Sequence, residues 1–266
     1  MKKGFFMAEQ TILITGASSG FGEACARIFA SPGHRLILTA RRLDKLEQLK
    51  KELVDKCPVH TLQLDVRDRA AVENVMAALP VEFRAIDVLV NNAGLALGLE
   101  PCHKVDIEDW EVMVDTNVKG LMYCTRAILP GMVERNRGHV VNISSTAGTW
   151  PYPGGNVYGG TKAFVTQFSR NLRADLIGTR VRVTCIQPGM AETEFSNVRF
   201  KGNDEAADKV YDGTEPMSAT DIAEAVAWVV NRPAHLNINS IEMMPVCQAW
   251  GPLAVYRQKQ GLGTGG

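Results

Sequence analysis

The chain has 266 residues, enough for one large α/β domain or two small ones and for a substantial buried core. Hydrophobic residues make up 45% and charged residues 22%, which is ordinary for a globular protein. Lys+Arg and Asp+Glu both number 29, so no net charge attracts nucleic acid or an anionic membrane. The composition therefore predicts neither a nucleic-acid-binding protein nor a membrane-associated one.

The sequence carries no pattern that predicts a membrane span, a disulfide frame or a metal site. Glu9 and Gln10 interrupt the apolar patch near the N-terminus, and no later apolar run is long enough to span a bilayer. The five histidines have no metal-ligand spacing. The cysteines are scattered without a Cys-x-x-Cys pair, namely Cys25, Cys57, Cys102, Cys124, Cys185 and Cys247. Scattered thiols favour a reducing compartment, so we expect a cytoplasmic protein without a metal.

Short apolar, β-branched runs alternate with amphipathic stretches along the whole chain. In chain order the predicted elements are strand 11–15, helix 22–30, strand 35–39, helix 43–54, strand 60–64, helix 69–79, strand 86–90, helical region 109–135, strand 139–143, helix 158–177, strand 181–186, helix 219–230 capped by residues 219–221, and strand 238–243. We expect the ends, about 1–9 and 258–266, to be flexible.

This alternation predicts one α/β domain over residues 1–266, a Rossmann-like, doubly wound parallel sheet of about seven strands with helices on both faces. Several strands are apolar at consecutive positions, as expected when both faces of a sheet are covered. The polar segment at about 190–217 follows a strand. In such a sheet it lies over the carboxyl edge, where ligands bind, so we interpret it as a substrate loop.

Residues 15–22 follow the first predicted strand directly and open a helix. Gly16, Gly20 and Gly22 there permit a tight turn and a close approach of a pyrophosphate to the backbone, and the helix N-terminus attracts its charge. The spacing is Gly-x-x-x-Gly-x-Gly, and no Gly-Lys-Ser/Thr follows. A dinucleotide is therefore favoured over a nucleoside triphosphate.

Arg41 and Arg42 follow the end of the second predicted strand. An NAD site usually presents an acidic residue here to the ribose 2′-hydroxyl. Two arginines suit a 2′-phosphate instead, through charge-assisted and bidentate contacts. Arginine pairs at helix starts are often simply solvated, but after a phosphate loop this pair favours NADP.

Tyr158 and Lys162 stand four apart on a predicted helix, and therefore on one face of it, with Ser145 thirteen residues upstream. A lysine charge beside the tyrosine would favour the phenolate and suit the tyrosine for general acid–base catalysis. By itself this spacing is weak evidence for catalysis, because Tyr-x-x-x-Lys is common on surface helices. Ser144 is the alternative to Ser145.

Together these motifs resemble the short-chain dehydrogenase/reductase family over about residues 10–247. The matching segments are residues 15–22, 91–94, Asn117, Ser145/Tyr158/Lys162, and Pro188-Gly189 followed by Thr193. Residues 91–98, 154–158, 193–200 and 242–246 are similar, more narrowly, to the bacterial NADP-dependent 3-hydroxy acid dehydrogenases of the serine and allo-threonine type. Gly160 and Thr161 replace the Ala-Ser often found in the family between the catalytic Tyr and Lys.

The resemblance implies four catalytic residues. Tyr158 would be the general acid or base, and Lys162 would hold the nicotinamide ribose and lower the pKa of the tyrosine. Ser145 would hydrogen-bond the substrate oxygen, and Asn117 would anchor a proton relay through water. An Asn in a helix can instead bond backbone locally. The implied cofactor contacts are Gly16, Ser18, Ser19, Gly20, Phe21, Gly22, Arg41, Arg42, Asp65, Val66, Asn92, Tyr158, Lys162, Pro188, Gly189 and Thr193. Asp65 also fits a helix N-cap.

The substrate implied by the narrower resemblance is a small 3-hydroxy acid, such as serine, allo-threonine or 3-hydroxyisobutyrate. Its carboxylate needs a cationic partner, for which Arg199 and Lys201 are the candidates. The alternative interpretation, that both are solvated charges on a loop, is equally compatible with the sequence. Two alternatives remain open, a carbonyl reductase of a bulkier ketone or aldehyde and a dinucleotide-sensing scaffold. The resemblance also implies a homotetramer or homodimer.

Overall fold

The protein, described here from a computed structural model, is defined over residues 9–250. Except for residue 9, the predicted flexible ends lie outside the described residues. Seven parallel strands form one sheet in the order β3-β2-β1-β4-β5-β6-β7. The strands are β1 Gln10–Thr15, β2 His34–Ala40, β3 Val59–Gln63, β4 Ile86–Asn91, β5 Gly138–Ile143, β6 Val181–Pro188 and β7 Ser240–Met243.

Helices follow the strands in the predicted alternation. They are α1 Gly20–Phe29, α2 Leu43–Leu53, α3 Arg69–Ala77, α4 Ile107–Val114, α5 Leu121–Glu134, α6 Asn156–Asp175, α7 Phe195–Arg199, α8 Asp204–Asp208 and α9 Ala219–Val230. Among the helices of residues 9–250, none combines the length and the apolarity that crossing a membrane requires.

Strand β1 shows how the sequence covers both faces of the sheet. Ile12 and Ile14 pack into one core cluster with side chains of α1, α2 and α9, whereas Leu13 packs into a second cluster with side chains of α5 and α6. All three side chains have no exposed surface. Successive residues of a strand point to opposite faces, so a run of apolar residues is buried only if helices cover both. The predicted doubly wound parallel sheet is confirmed.

The long helical region predicted at 109–135 is not one continuous helix. α4 ends at Val114, a π-helical turn occupies Asp115–Gly120, and α5 begins at Leu121. Val66 explains why the last residue of this turn is glycine, because a Cβ at Gly120 would lie 2.6 Å from Val66 Cγ2. π-turns inside helices frequently occur at functional sites.

The C-terminal third departs from the sequence prediction at three points. The segment 190–217 contains the short helices α7 and α8, and β7 begins at Ser240, two residues later than predicted. α9 is capped by Ser218, whose hydroxyl accepts from the Asp221 N–H while the Asp221 side chain accepts from the Ser218 N–H. This capping box replaces the cap predicted at 219–221.

Candidate active site

A cavity of about 290 Å³ lies at the carboxyl ends of the strands, beside β1 and β4. The chain crosses from one side of the sheet to the other between these strands, which is where open α/β sheets bind ligands. Thirteen of the predicted site residues line it: Gly16, Ser18, Ser19, Gly20, Phe21, Arg41, Arg42, Asp65, Val66, Asn92, Tyr158, Lys162 and Thr193.

The loop between β1 and α1 needs its glycines for two different reasons. Gly16 and Gly20 have φ values of +67° and +53°, in the left-handed region that favours glycine. At Gly22 the reason is space, because a Cβ would lie 2.6 Å from Asn92 Nδ2 and closer still to the Gly16 carbonyl oxygen. The loop therefore keeps its backbone exposed to the cavity.

Asn92 fastens this loop to the end of β4. Its side-chain amide donates to the carbonyl oxygens of Thr15, at 2.9 Å, and Gly16, at 3.1 Å. Its own N–H donates to the Thr15 hydroxyl. The residue lines the cavity, as predicted, but both amide protons are directed to the loop. Contact with the cofactor ribose therefore stays a prediction.

Arg42 links the glycine loop to the segment that follows β6. Its guanidinium donates to the Ser18 hydroxyl at 3.2 Å and to Glu194 Oε2 at 3.0 Å. Both side chains of the ion pair are about half exposed, at 44% and 55%. Arg41 lies beside Arg42 at the cavity rim. The rim is therefore cationic, but one of its two cations is shared with a carboxylate.

Asp65 lines the cavity and forms an ion pair with Arg67, with Nη2 and Oδ2 2.6 Å apart. The hydrogen bond from the Arg67 side chain lowers the pKa of the Asp65 carboxyl. Asp65 is not the N-cap that its position also suggested. Asp68 caps α3 instead, accepting from the Ala71 N–H.

Tyr158 and Lys162 lie on the first half of α6 and are 8% and 6% exposed. The Lys162 ammonium donates to the Ile143 carbonyl oxygen at 3.0 Å. Burial lowers the pKa of Lys162 to about 8 and raises the pKa of Tyr158 to about 12, because a low-dielectric setting disfavours the charged form of each.

Lys162 is not among the groups that lower the pKa of Tyr158, so the effect expected from the sequence stays a prediction. Its Nζ lies 5.8 Å from the Tyr158 ring centroid and is hydrogen-bonded elsewhere. The groups that lower the pKa of the phenol, against the larger effect of burial, are the Ser145 hydroxyl and the Arg199 charge. The sequence spacing identified the Tyr158–Lys162 pair, but it could not show that burial is the largest influence on both pKa values.

Ser144 and Ser145 have different partners. The Ser144 hydroxyl donates to the Lys162 carbonyl at 2.7 Å, so it serves the packing of β5 against α6. The Ser145 hydroxyl donates to the Pro188 carbonyl at 3.3 Å and accepts from the Ala147 N–H at 3.1 Å. Ser145, unlike Ser144, lowers the pKa of the Tyr158 phenol, which favours Ser145 as the residue near the reacting oxygen.

Asn117 lies in the π-turn and is 2% exposed. Its side-chain amide accepts from the Leu95 N–H at 2.9 Å and donates to the Leu95 carbonyl at 2.8 Å, and it also donates to the Thr161 hydroxyl. The bonding is to backbone, but to backbone 22 residues away rather than local. Asn117 thus holds a cavity-lining residue in place, and the relay role stays a prediction.

Arg199 ends α7 and lies among three aromatic rings. Its Cζ is 5.1 Å from the Tyr158 ring centroid, 5.5 Å from that of Phe195 and 5.8 Å from that of Tyr152. Nη2 donates to the Tyr152 hydroxyl at 2.6 Å, whereas the buried Nε has no hydrogen-bond partner. The other candidate, Lys201, is paired with Asp109 at 2.8 Å.

Six predicted residues do not line the cavity itself, namely Gly22, Asn117, Ser145, Pro188, Gly189 and Arg199. Each of Gly22, Asn117, Ser145 and Arg199 nevertheless contacts a residue that does. Ser144, the alternative to Ser145, also lines the cavity. Ten further lining residues were not predicted as site residues, namely Ala40, Leu64, Ala93, Gly94, Leu95, Thr116, Ile143, Glu194, Phe195 and Val198. Adjacency to predicted site residues was the available signal for most of them.

The fold and the cavity define the class of protein. It is a Rossmann-like, nucleotide-binding α/β protein with a buried Tyr–Lys pair at the carboxyl edge of the sheet. The chain belongs to the short chain dehydrogenase family, whose model matches residues 10–204. It is therefore an oxidoreductase, and the resemblance inferred from the motifs is confirmed.

Similar proteins are known for almost the whole chain. A Salmonella typhi protein named NADP-dependent 3-hydroxy acid dehydrogenase is 63% identical over 247 residues, covering 92% of this chain and 99% of the relative. Its counterpart in Escherichia coli K12 is 60% identical, covering 93% and 99%. A solved structure of the closed form of serine dehydrogenase complexed with NADP+ has a TM-score of 0.91 and 60% identity, covering 94% and 100%.

Proposed function

We propose that the protein is an NADP-dependent dehydrogenase that interconverts the hydroxyl and carbonyl forms of a small 3-hydroxy acid, such as serine, allo-threonine or 3-hydroxyisobutyrate. The observation that carries the proposal is the Arg199 guanidinium, which lies over the Tyr158 ring with its buried Nε unpartnered. A cation so close to the acid–base residue suits a substrate whose carboxylate lies a few atoms from its reacting oxygen.

The residues around the cavity fit NADP. Gly16, Gly20 and Gly22 leave a backbone cradle that side chains would fill or strain. Arg41 and Arg42 place positive charge at the rim, where a 2′-phosphate is held in this fold. The relatives at 60–63% identity are named NADP-dependent, and the solved neighbour holds NADP+.

When bound, NADP(H) donates or accepts the hydride. The Tyr158 hydroxyl supplies the proton to the carbonyl oxygen during reduction and removes it during oxidation. Its raised pKa keeps the phenol protonated at neutral pH, which suits reduction directly. The Ser145 hydroxyl, which lowers the pKa of the Tyr158 phenol, bonds the same substrate oxygen and stabilises charge that develops on it.

Two further residues hold this arrangement. Lys162 holds the nicotinamide ribose, and its hydrogen bond to the Ile143 carbonyl, which fixes the ammonium beside the cavity, supports this role. Asn117 fixes Leu95 in the cavity wall and lies next to Lys162 across Gly94, where a Cβ would be 3.1 Å from Asn117 Oδ1 and 3.4 Å from Lys162 Nζ. Gly94 therefore leaves the space between them open.

The carboxylate clamp can be tested with Arg199→Ala. We expect the KM for serine or 3-hydroxyisobutyrate to rise about 100-fold, as for loss of a charge-assisted pair, and the KM for a neutral ketone to change little. Arg170→Ala, on the exposed side of α6, is the matched control. Equal rises for both substrates would remove Arg199 as the clamp and favour the alternative, a carbonyl reductase of bulkier ketones.

Assembly and location extend the proposal. An open apolar groove between α4 and α6 supports assembly into a homotetramer or homodimer. It is lined by Cys102, Trp110, Val114, Val118, Asn156, Val157, Gly160 and Thr161. Light scattering of the purified protein tests this, and a monomer would contradict it. Cytoplasmic location and a single domain over residues 1–266 stay predictions of the sequence.

A further inference from the structure

We propose that Tyr152 is a positioning residue for acid recognition: its hydroxyl holds the Arg199 guanidinium over the Tyr158 ring and leaves the guanidinium charge available to a substrate carboxylate. This inference rests on the proposed function and adds to it the residue that sets the preference for an acid over a neutral substrate. Tyr152 belongs to no motif that the sequence singled out as a site.

The contact that carries the inference is a short hydrogen bond to a neutral acceptor. Arg199 Nη2 donates to the Tyr152 hydroxyl at 2.6 Å, and no carboxylate within residues 9–250 pairs with this guanidinium. A carboxylate in place of the phenol would neutralise the arginine before any substrate arrived. A tyrosine hydroxyl orients the fork without neutralising it.

The rest of the guanidinium is held by ring faces. Tyr158, Phe195 and Tyr152 surround it, with centroids 5.1–5.8 Å from Cζ. Ring faces attract the guanidinium charge, but they provide no hydrogen-bond acceptor for the N–H groups that lie in the guanidinium plane. Nε is consequently buried without a partner, and a buried unpartnered donor is costly unless a ligand completes it.

Tyr152 is itself fixed by the turn that precedes α6. The Gly155 N–H donates to the Tyr152 carbonyl at 3.0 Å, and a Cβ at Gly155 would lie 2.7 Å from the Tyr152 ring carbon Cε1. Gly154 packs against the Leu99 backbone with φ +78°. The residue before Leu99, Gly98, donates its N–H to the Arg199 carbonyl at 2.9 Å. One loop therefore braces both partners of the hydrogen bond.

The test compares Tyr152→Phe with Tyr211→Phe. Tyr211 is the matched control, because its hydroxyl bonds Ser196 on α7 and the Ala191 carbonyl but does not touch Arg199. For Tyr152→Phe we expect the KM for the acid substrate, 3-hydroxyisobutyrate, to rise about 10-fold, with kcat within about two-fold, and the KM for a neutral ketone to stay unchanged. For Tyr211→Phe we expect the ratio of the two KM values to match the wild type.

Inhibition gives a second readout that does not need turnover of the altered site. Propionate should inhibit the wild type more strongly than propionamide, and Tyr152→Phe should reduce that difference about 10-fold. In an Arg199→Ala background, Tyr152→Phe should cause no further change, because both substitutions remove the same contact.

A KM rise shared by acid and neutral substrates, an unchanged propionate preference, or fully additive effects with Arg199→Ala would each overturn the positioning role. These outcomes differ from failure of the proposed function. That failure would show in the wild-type protein as no NADP-linked turnover of any 3-hydroxy acid, whatever the behaviour of Tyr152→Phe.

Discussion

The Lys162 ammonium lies 5.8 Å from the Tyr158 ring centroid and donates to the Ile143 carbonyl oxygen, not to the phenol. Both groups are buried, and their pKa values move away from the charged forms in opposite directions, to about 8 for the lysine and about 12 for the tyrosine. At pH 7 the lysine is therefore still mostly charged and the phenol is neutral, and the cost of burying that charge falls on the folded state.

Burial of Lys162 makes stability depend on pH. Below pH 8 the lysine is charged in both states, and the folded state bears the full cost of burying it. Between pH 8 and about 10.5 the unfolded state binds more protons, so stability rises with pH. A pKa difference of about 2.5 corresponds to about 3 kcal/mol. Tyr158 acts oppositely, but only above about pH 10, where the unfolded state loses its proton first.

We therefore expect Lys162→Met to be more stable than the wild type at pH 7, by up to about 3 kcal/mol less the lost hydrogen bond to Ile143. At pH 10 the advantage should largely vanish. Urea unfolding at the two pH values measures this, with the exposed Lys209→Met as control. A difference between variant and wild type that is equal at both pH values would contradict the account.

Removing the phenolic hydroxyl should abolish most of the activity while leaving the fold intact. We expect Tyr158→Phe to lower kcat for NADPH-linked reduction by about 10²- to 10⁴-fold, the usual contribution of a positioned acid–base group. Tyr123→Phe on α5 is the control. Full-rate turnover by Tyr158→Phe, with an unchanged circular dichroism spectrum, would exclude the catalytic assignment and reopen the dinucleotide-sensing scaffold.

Much of the fold could be predicted because it follows from patterns within short segments. Each of the seven strands was found, since apolar β-branched runs indicate a strand buried on both faces. The π-turn at Asp115–Gly120 was not predicted, because the apolar spacing of residues 109–135 fits a continuous helix equally well. The cap of α9 differs for a local reason: the N-cap residue is Ser218, directly before the helix, whereas residues 219–221 already belong to its first turn.

In the candidate site, too, local features could be predicted from the sequence, whereas contacts between residues distant in sequence could not. Gly16, Gly20 and the Tyr158–Lys162 spacing are local signals, so the sequence identified them. The contact of Arg42 with Glu194 joins residues 152 apart, and the desolvation of Lys162 depends on the whole neighbourhood, so neither could be inferred from spacing. The sequence pointed to Arg199 but could not distinguish a solvated charge from one held among three rings.

Glu194 should compete with the cofactor phosphate for Arg42. We expect Arg42→Ala to raise the KM for NADPH about 10- to 100-fold and to leave the KM for NADH nearly unchanged. Glu194→Gln should act in the opposite direction and lower the KM for NADPH, because the guanidinium loses its carboxylate partner. Steady-state kinetics with both cofactors checks this. Equal changes with NADPH and NADH would exclude Arg42 as a 2′-phosphate contact.

Two glycines offer opposite outcomes for the same substitution. Gly22→Ala should destabilise the protein by about 1–3 kcal/mol, because the new Cβ would meet Asn92 Nδ2 and the Gly16 carbonyl, both of which are held in place by the loop. Gly160→Ala, in the interior of α6 with no atom of the same chain within 4 Å of the new Cβ, should stabilise the single subunit by about 0.5–1 kcal/mol. Thermal unfolding compares the two variants. If Gly22→Ala unfolds at the wild-type temperature, the loop can yield to a side chain and the cradle is not rigid.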